Sequence, residues 1–220
     1  MNVKFIIQCR MNSSRYPGKV LAPFLGKPLL AHIVDRIKSA KLKSSIILAT
    51  SNKRSDDPLE IYGKYLGIIV ERGSLDDVSK RFALVLKKHK CEAFFRVCGD
   101  SPLLSTSLFN QALSIYKKNS YDLVTNVFPR TFPKGMSVEL FKTETFLKYQ
   151  KKISKDLDKE HLTRYFYKNS KNFKIFNLKS SKTIKANLKF AVDEIKDLKK
   201  LETWFVDKGK NYEKLFTIKT

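Results

Sequence analysis

The stretch VKFIIQCRMNSSRYPGK, residues 3–19, sets an apolar run of strand length directly before a polar loop that ends in a Pro-Gly turn. A short apolar run stopped by turn residues reads as a buried strand followed by a loop. PLLAHIVDRIKSA (28–40) then places Leu29, Ile33, Val34 and Ile37 on one helical face, with Pro28 suited to the first turn. The unit repeats along the chain. SIILAT (45–50) is a second strand, Asp56, Asp57 and Pro58 supply a helix start, Gly67 marks its end, and IIVER (68–72) is a third strand. Helix 75–89 turns Val78, Phe82, Val85 and Leu86 inward, EAFFRVC (92–98) is a fourth strand running into GDSPLL (99–104), and helix 106–118 leads to a fifth, YDLVTN (121–126). Strands alternating with helices predict an α/β fold with a mostly parallel central sheet flanked by helices. Sheets of that kind bind ligands at the carboxyl ends of their strands.

Beyond residue 126 the alternation breaks. FPRTFPKGMSVELF holds two prolines and a glycine before a strand-like stretch, and helices are expected near 143–152 and 157–168. FKIFNLK (173–179) and LKFAV (188–192) read as strands, and IKDLKKLETWFVDKG (195–209) as a closing amphipathic helix. With no repeat or low-complexity linker, residues 1–220 form a single domain, and the excursion at about 127–170 is where substrate-specific structure is expected.

The composition bounds the class of protein. The 220 residues carry 44 Lys and Arg against 21 Asp and Glu, a formal charge of +23, while 42% are hydrophobic and 16 Phe and 9 Tyr run along the whole chain. That aromatic content excludes a disordered chain. No apolar run reaches the ~18 residues of a membrane helix, and MNVKFIIQCR is too briefly apolar for a signal peptide, so a cytoplasmic protein is expected. Cys9, Cys91 and Cys98 lack CxxC spacing, which leaves them as buried small hydrophobes. The positive charge raises a basic nucleic-acid-binding protein as one reading. Against it, only 9 of the basic residues are Arg, and the 35 Lys are scattered and form no single tract.

Three polar clusters follow strands, where an open sheet gathers them at one edge. The first, Arg10 to Lys19, offers Arg10, Arg15 and Lys19 as cations with Ser13 and Ser14 as hydroxyls. Such a loop suits a polyphosphate, which needs charge stabilisation spread over several oxygens; a solvated basic loop is the plain alternative. It is not a Walker loop, because GxxxxGK[ST] is absent. The second cluster contains Asp100 and the third Asp193, each equally readable as a turn or cap residue. Two carboxylates at one sheet edge would suit Mg2+, whose other positions go to water and phosphate.

These residues, taken in order, resemble a family. IIQCRMNSSRYPGKVLAPFLGKPLLAHIVDRI is similar to the opening of the cytidylyltransferases of bacterial surface-sugar activation, the group of CMP-Kdo and CMP-sialic acid synthetases. Nearest is the branch named for the spore-coat polysaccharide biosynthesis protein F. Eight stretches match that branch in order: Gln8 to Leu21, Gly26 to Leu30, Ala49 to Ser51, Arg72 to Phe82, Gly99 to Leu103, Thr125 to Phe141, Glu160 to Tyr165 and Val192 to Leu198.

The resemblance implies a Rossmann-like nucleotidyltransferase (GT-A-like) fold that transfers CMP from CTP to the anomeric hydroxyl of a 2-keto-3-deoxy sugar acid, releasing pyrophosphate. It implies that Arg10, Ser13, Ser14, Arg15 and Lys19 hold the triphosphate, with Lys19, Arg10 and Arg15 acting in catalysis. Arg72, Asp77 and Arg81 would lie near the nucleotide, Asp100 and Asp193 would bind Mg2+, and Asn126, Arg130, Thr131, Glu139 and His161 would meet the sugar acid. A homodimer through the excursion is implied as well. Another nucleotidyltransferase or a surface-polysaccharide glycosyltransferase is the neighbouring alternative. Two departures fall in the sugar region: Ser137 stands where the branch has Asp, and Arg164 where it has Pro. His32 and His89 fall in helix patterns and read as structural, as do Phe94, Phe95 and Trp204.

Overall fold

β1 (Val3–Gln8) is buried on both faces, because its apolar residues do not alternate with polar ones: Phe5 and Ile7 enter one core and Ile6 the other. A computed structural model describes residues 1–181, 188–216 and 218. After β1 come a small hairpin of β2 (Pro23–Phe24) and β3 (Lys27–Pro28), then α1 (Leu29–Ser39), β4 (Ser45–Ser51), α2 (Asp57–Tyr65), β5 (Ile69–Gly73), α3 (Val78–Lys88), β6 (Ala93–Cys98), α4 (Thr106–Lys118) and β7 (Leu123–Thr125). Following the excursion are β8 (Glu139–Lys142), α5 (Thr143–Gln150), α6 (Asp156–Glu160), α7 (Leu162–Lys168), β9 (Ile175–Asn177) and α8 (Ile195–Lys208).

The main sheet has the order β5-β4-β1-β6-β8-β7-β9. β5, β4, β1 and β6 pair in parallel, as do β7 and β9, while β8 runs antiparallel to both β6 and β7. The sheet is therefore mostly parallel, as expected, with one inverted strand. One face is covered by α1, α2, α4 and α8, through Ile33, Leu59, Phe109 and Leu198 among others. The opposite face is covered by α3, α5 and α7, through Phe82, Phe146 and Phe166. Stacked pairs mark the two cores: Phe5 on Phe95, with ring centres 4.6 Å apart, and Phe94 on Phe141 at 5.5 Å. Each fully buried Phe contributes about 1.5–3 kcal/mol, on the same scale as the buried Leu, Ile and Val packed around it.

The chain leaves β1 towards β4 and β5, then returns to the other side of β1 as β6. Loops from β1 and β6 thus diverge at their carboxyl ends, opening the crevice where such sheets bind ligands. Gly99 keeps the mouth of that crevice narrow: its amide donates to the Gln8 carbonyl at 2.9 Å, and a side chain there would overlap Cys9.

Two sequence expectations are corrected. LKFAV is no strand; it crosses the end of the sheet in extended form, with the Phe190 amide on the Lys134 carbonyl at 2.6 Å and the Val192 amide on the Asp100 carbonyl at 2.8 Å. These two amides are taken by loop carbonyls, and the segment makes only an isolated bridge, Lys189 with Lys134. The helix expected at 157–168 is split into α6 and α7 at His161, whose φ of −107° and ψ of 68° leave helical space. The helix start expected at Asp56, Asp57 and Pro58 is where α2 begins, although the Asp56 side chain makes no capping hydrogen bond. It is fully buried and turned towards β4 and the loop after β1.

Candidate active site

Three segments converge at the carboxyl ends of β1 and β6. The loop after β1 curls on the Met11 carbonyl, which accepts the Ser13 amide at 2.9 Å and the Gly18 amide at 2.8 Å. Gly18, at φ +74°, makes the reversal that sends Lys19 inward. Asp56 anchors this loop from below. One of its carboxylate oxygens accepts the Met11 amide at 2.8 Å, and the other accepts the Thr50 hydroxyl and Ser51 amide, each at 2.9 Å, as well as the Ser51 hydroxyl. Burial would raise its pKa, but these donors outweigh burial and hold it below the ordinary carboxylate range. The sequence reading missed this anchor because Asp-Asp-Pro is also a normal helix start.

Lys19 joins the two acidic clusters. Its ammonium, on a side chain that is 11% exposed, donates to the Val192 carbonyl at 2.7 Å and lies 3.4 Å from Asp100 Oδ2 and 3.7 Å from Asp193 Oδ1. The two carboxylates are therefore neighbours, although 93 positions separate them in the chain. Arg15 reaches Asp193 Oδ1 at 2.8 Å, and Lys189 reaches Oδ2 at 2.8 Å. Burial would raise the Asp193 pKa, but Lys189, Lys19 and Arg15 together lower it. Asp193 does not cap α8; Glu194 does, in a reciprocal box with Asp197. Asp100 accepts the Ser101 hydroxyl at 2.9 Å and keeps its other oxygen towards Lys19.

Arg10 and Arg81 meet at a second place. Gln8, Cys9, Arg10, Arg81, Glu160 and His161 line a cavity of about 110 Å³, across which Arg10 and Glu160 pair at 2.8 Å. Arg81 is 3% exposed, donates to the Ser74 carbonyl at 2.6 Å, and leaves its Nε without a partner. Burial lowers its pKa. His161 lines the same cavity as Arg10 and Arg81. Asp77 is the N-cap of α3, accepting the Lys80 amide at 2.7 Å. Arg72 is drawn to Asp57 and Glu60, at 2.7 and 2.8 Å, and so braces α2. Ser13 is half-buried and Ser14 exposed on the loop.

The residues assigned to the sugar acid divide into two groups. Asn126 is buried and clamps the excursion, donating to the Met136 carbonyl at 2.8 Å and accepting the Val138 amide at 2.9 Å. Thr131 accepts the Ser180 amide at 2.9 Å. Glu139 is buried against Arg96 and Tyr167. Arg130 alone presents an available cation: its hydrogen-bond partner is the Ser137 hydroxyl at 3.1 Å, and it has no carboxylate partner among the described residues. Arg130 is exposed at the surface; partial desolvation of its guanidinium, offset only in part by Glu139, lowers its pKa. The other departure has a local cause, since Arg164 pairs with the buried Asp158 at 3.2 Å. The cysteines are free, and burial pushes the Cys98 thiol up to about 11. His32 and His89 bond the Phe24 carbonyl and Glu71, as structural residues do.

The cytidylyltransferase family model matches residues 4–217. The chain belongs to this family. It is accordingly a nucleotidyltransferase. The spore coat polysaccharide biosynthesis protein SpsF of Bacillus subtilis is 26% identical over 216 residues, covering 94% of this chain and 88% of that protein. A 3-deoxy-manno-octulosonate cytidylyltransferase of Geobacter sulfurreducens is 32% identical over 121 residues, 54% of this chain and 47% of the relative. Among solved structures, a cytidylyltransferase from Leptospira borgpetersenii superposes with a TM-score of 0.89 at 28% identity, covering 94% of this chain and 87% of its own. The nucleotidyltransferase fold implied by the motifs is thus the fold of the chain. Among the described residues no helix is long and apolar enough to cross a membrane.

Proposed function

We propose that the protein is a Mg2+-dependent cytidylyltransferase that moves CMP from CTP to the anomeric hydroxyl of a 2-keto-3-deoxy sugar acid, for surface polysaccharide synthesis. The observation that carries this reading is the meeting of Asp100 and Asp193 at the Lys19 ammonium, beside Arg15, at the open end of a parallel sheet. A pair of hard oxygen donors at the end of the sheet fits Mg2+, which takes its other positions from water and phosphate. When bound there, the ion would neutralise phosphate charge.

The rest of the chemistry falls to the chain's own residues. The acceptor oxygen attacks the α-phosphorus, the bond to the bridging oxygen breaks, pyrophosphate leaves with that electron pair, and the hydroxyl proton passes to solvent. Catalysis is then chiefly positioning and charge stabilisation. Lys19 and Arg15, already turned towards the acidic pair, bear on the leaving pyrophosphate, and Arg10 faces the nucleotide from the adjacent cavity. Arg130, with a hydroxyl for its partner, would receive the acceptor's carboxylate. The Geobacter relative, by its name, acts on such an acid.

Pyrophosphate release tests the proposal. With CTP, Mg2+ and a panel including 3-deoxy-manno-octulosonate and sialic-acid-like sugars, at least one acid should be turned over. Asp100→Asn and Asp193→Asn should each lower kcat by about 100-fold or more, the several kcal/mol expected of a metal-binding carboxylate. No turnover with any acid, or undiminished rates in both variants, would overturn it.

A further inference from the structure

A row of polar side chains crosses four adjacent strands on one face of the sheet, immediately beneath the site. On that face Ile6, Phe94, Phe141 and Leu123 form the apolar core. One step nearer the open end, the same strands β1, β6, β8 and β7 carry Gln8, Arg96, Glu139 and Thr125 in their place. Tyr167 from α7 covers the row, which forms a continuous chain of hydrogen bonds. Arg96 donates from Nε to Gln8 Oε1 at 2.9 Å and from Nη1 to Glu139 Oε2 at 2.5 Å. The Tyr167 hydroxyl donates to Glu139 Oε1 at 2.6 Å. With its proton so placed, it accepts from the Thr125 hydroxyl at 2.9 Å, and Thr125 in turn accepts the Val127 amide at 3.3 Å.

The two ends of this chain lie at different halves of the site. Gln8 forms part of the cavity wall shared with Arg10 and Arg81. At the far end, Val127 and Phe128 begin the segment that carries Arg130, and Phe128 stacks on Tyr167 with ring centres 4.9 Å apart. The ion pair in the middle is deeply buried, with the Arg96 side chain 10% exposed and that of Glu139 3%. A buried pair of this kind adds little stability over apolar side chains of similar volume, because desolvation offsets the attraction. What it adds here is direction. Each donor and acceptor has one geometry in which all are satisfied, and that geometry sets where the segment beginning at Val127 stands relative to Gln8.

We propose that Arg96, Glu139 and Tyr167 are positioning residues that register the acceptor-binding segment against the nucleotide-binding end of β1. The inference deepens the cytidylyltransferase reading and rests on it for the identity of the two substrates, but not for the mechanical coupling.

The test is the paired apolar variant R96M/E139L, which removes both buried charges together, alongside Y167F, which removes only the hydroxyl that links Glu139 to Thr125. Urea unfolding should show both variants folded, with the pair as stable as the parent protein. Amide exchange at 127–131 should be at least tenfold faster in both, while exchange in β1 and β6 stays unchanged. With an accepted sugar acid, the acceptor KM should rise at least tenfold and the CTP KM less than threefold. Parental exchange at 127–131 in both variants overturns the inference, as does an equal rise in the two KM values. If the apolar pair fails to fold, Y167F decides by the same two readouts. Failure of the parent protein to turn over any acid would overturn the substrate assignment alone, since the exchange measurement needs no substrate.

Discussion

Asp56 shows how a single buried residue governs the loop after β1. Its carboxylate satisfies four donors, so Asp56→Ala strands buried groups that each cost about 1–3 kcal/mol, and a loss of about 3 kcal/mol or more in urea unfolding is expected. The pH dependence follows from its depressed pKa. The contribution is fully present above the unfolded value near 3.8 and is lost as pH falls through the lower folded value. Unfolding titrations below about pH 4 should therefore be flatter for Asp56→Asn than for the parent protein. Arg130→Met tests recognition at the same scale. It should raise the KM for an acidic acceptor at least about tenfold and leave the CTP KM nearly unchanged, since a lost charged hydrogen bond is worth about 1.5–3 kcal/mol. At this scale the sequence named residues that meet at the end of the sheet, Lys19, Asp100 and Asp193, and missed Asp56. The missing signal was spatial: a Thr-Ser pair and an Asp five residues on look alike whether the carboxylate turns back to the strand or forward to the helix.

Among the elements, the segment across the end of the sheet ties the excursion that carries Arg130 to the cluster of Lys19, Asp100 and Asp193, and it does so through a glycine. Gly135 sits at φ +96°, and a side chain there would overlap the backbone of Phe190 and Ala191. That close approach gives the Lys134 carbonyl its bond to the Phe190 amide, two residues before Val192, whose carbonyl holds Lys19. Gly135→Ala should cost about 2–5 kcal/mol from strain and overlap together, read as a lowered Tm, and should reduce kcat by displacing Asp193. Strands and helices up to residue 126 were legible because each apolar run is bounded by turn residues. LKFAV was misread because apolar periodicity reports burial and cannot say whether the amides meet a strand or a loop. The helix break at His161 was equally invisible, since no proline or glycine marks it.

For the whole molecule, the charge of +23 sets a positive field around the site, which in the proposed reaction takes anionic substrates. A field of this sign speeds encounter with anionic substrates and is screened by salt. The CTP KM should rise about three- to tenfold between roughly 0.02 and 0.3 M monovalent salt, whereas Lys117→Gln with Lys118→Gln, at the far end of α4, should change it little. The layered architecture was readable from the alternation of elements, but the strand order was not: β8 enters between β6 and β7 in the opposite sense, a long-range pairing that no local pattern encodes. That inversion has an engineering consequence. Thr125 and Glu139 are register partners on neighbouring strands, so the intervening loop leaves and rejoins the scaffold at a single rung. Residues 126–138 therefore form a cassette whose ends need not move when its contents change, provided Lys134 and Gly135 keep their contact with Phe190. Grafting the corresponding loop of a relative with a known acceptor should transplant acceptor preference while leaving nucleotide preference to the recipient, a separation that initial rates on paired acceptors would register.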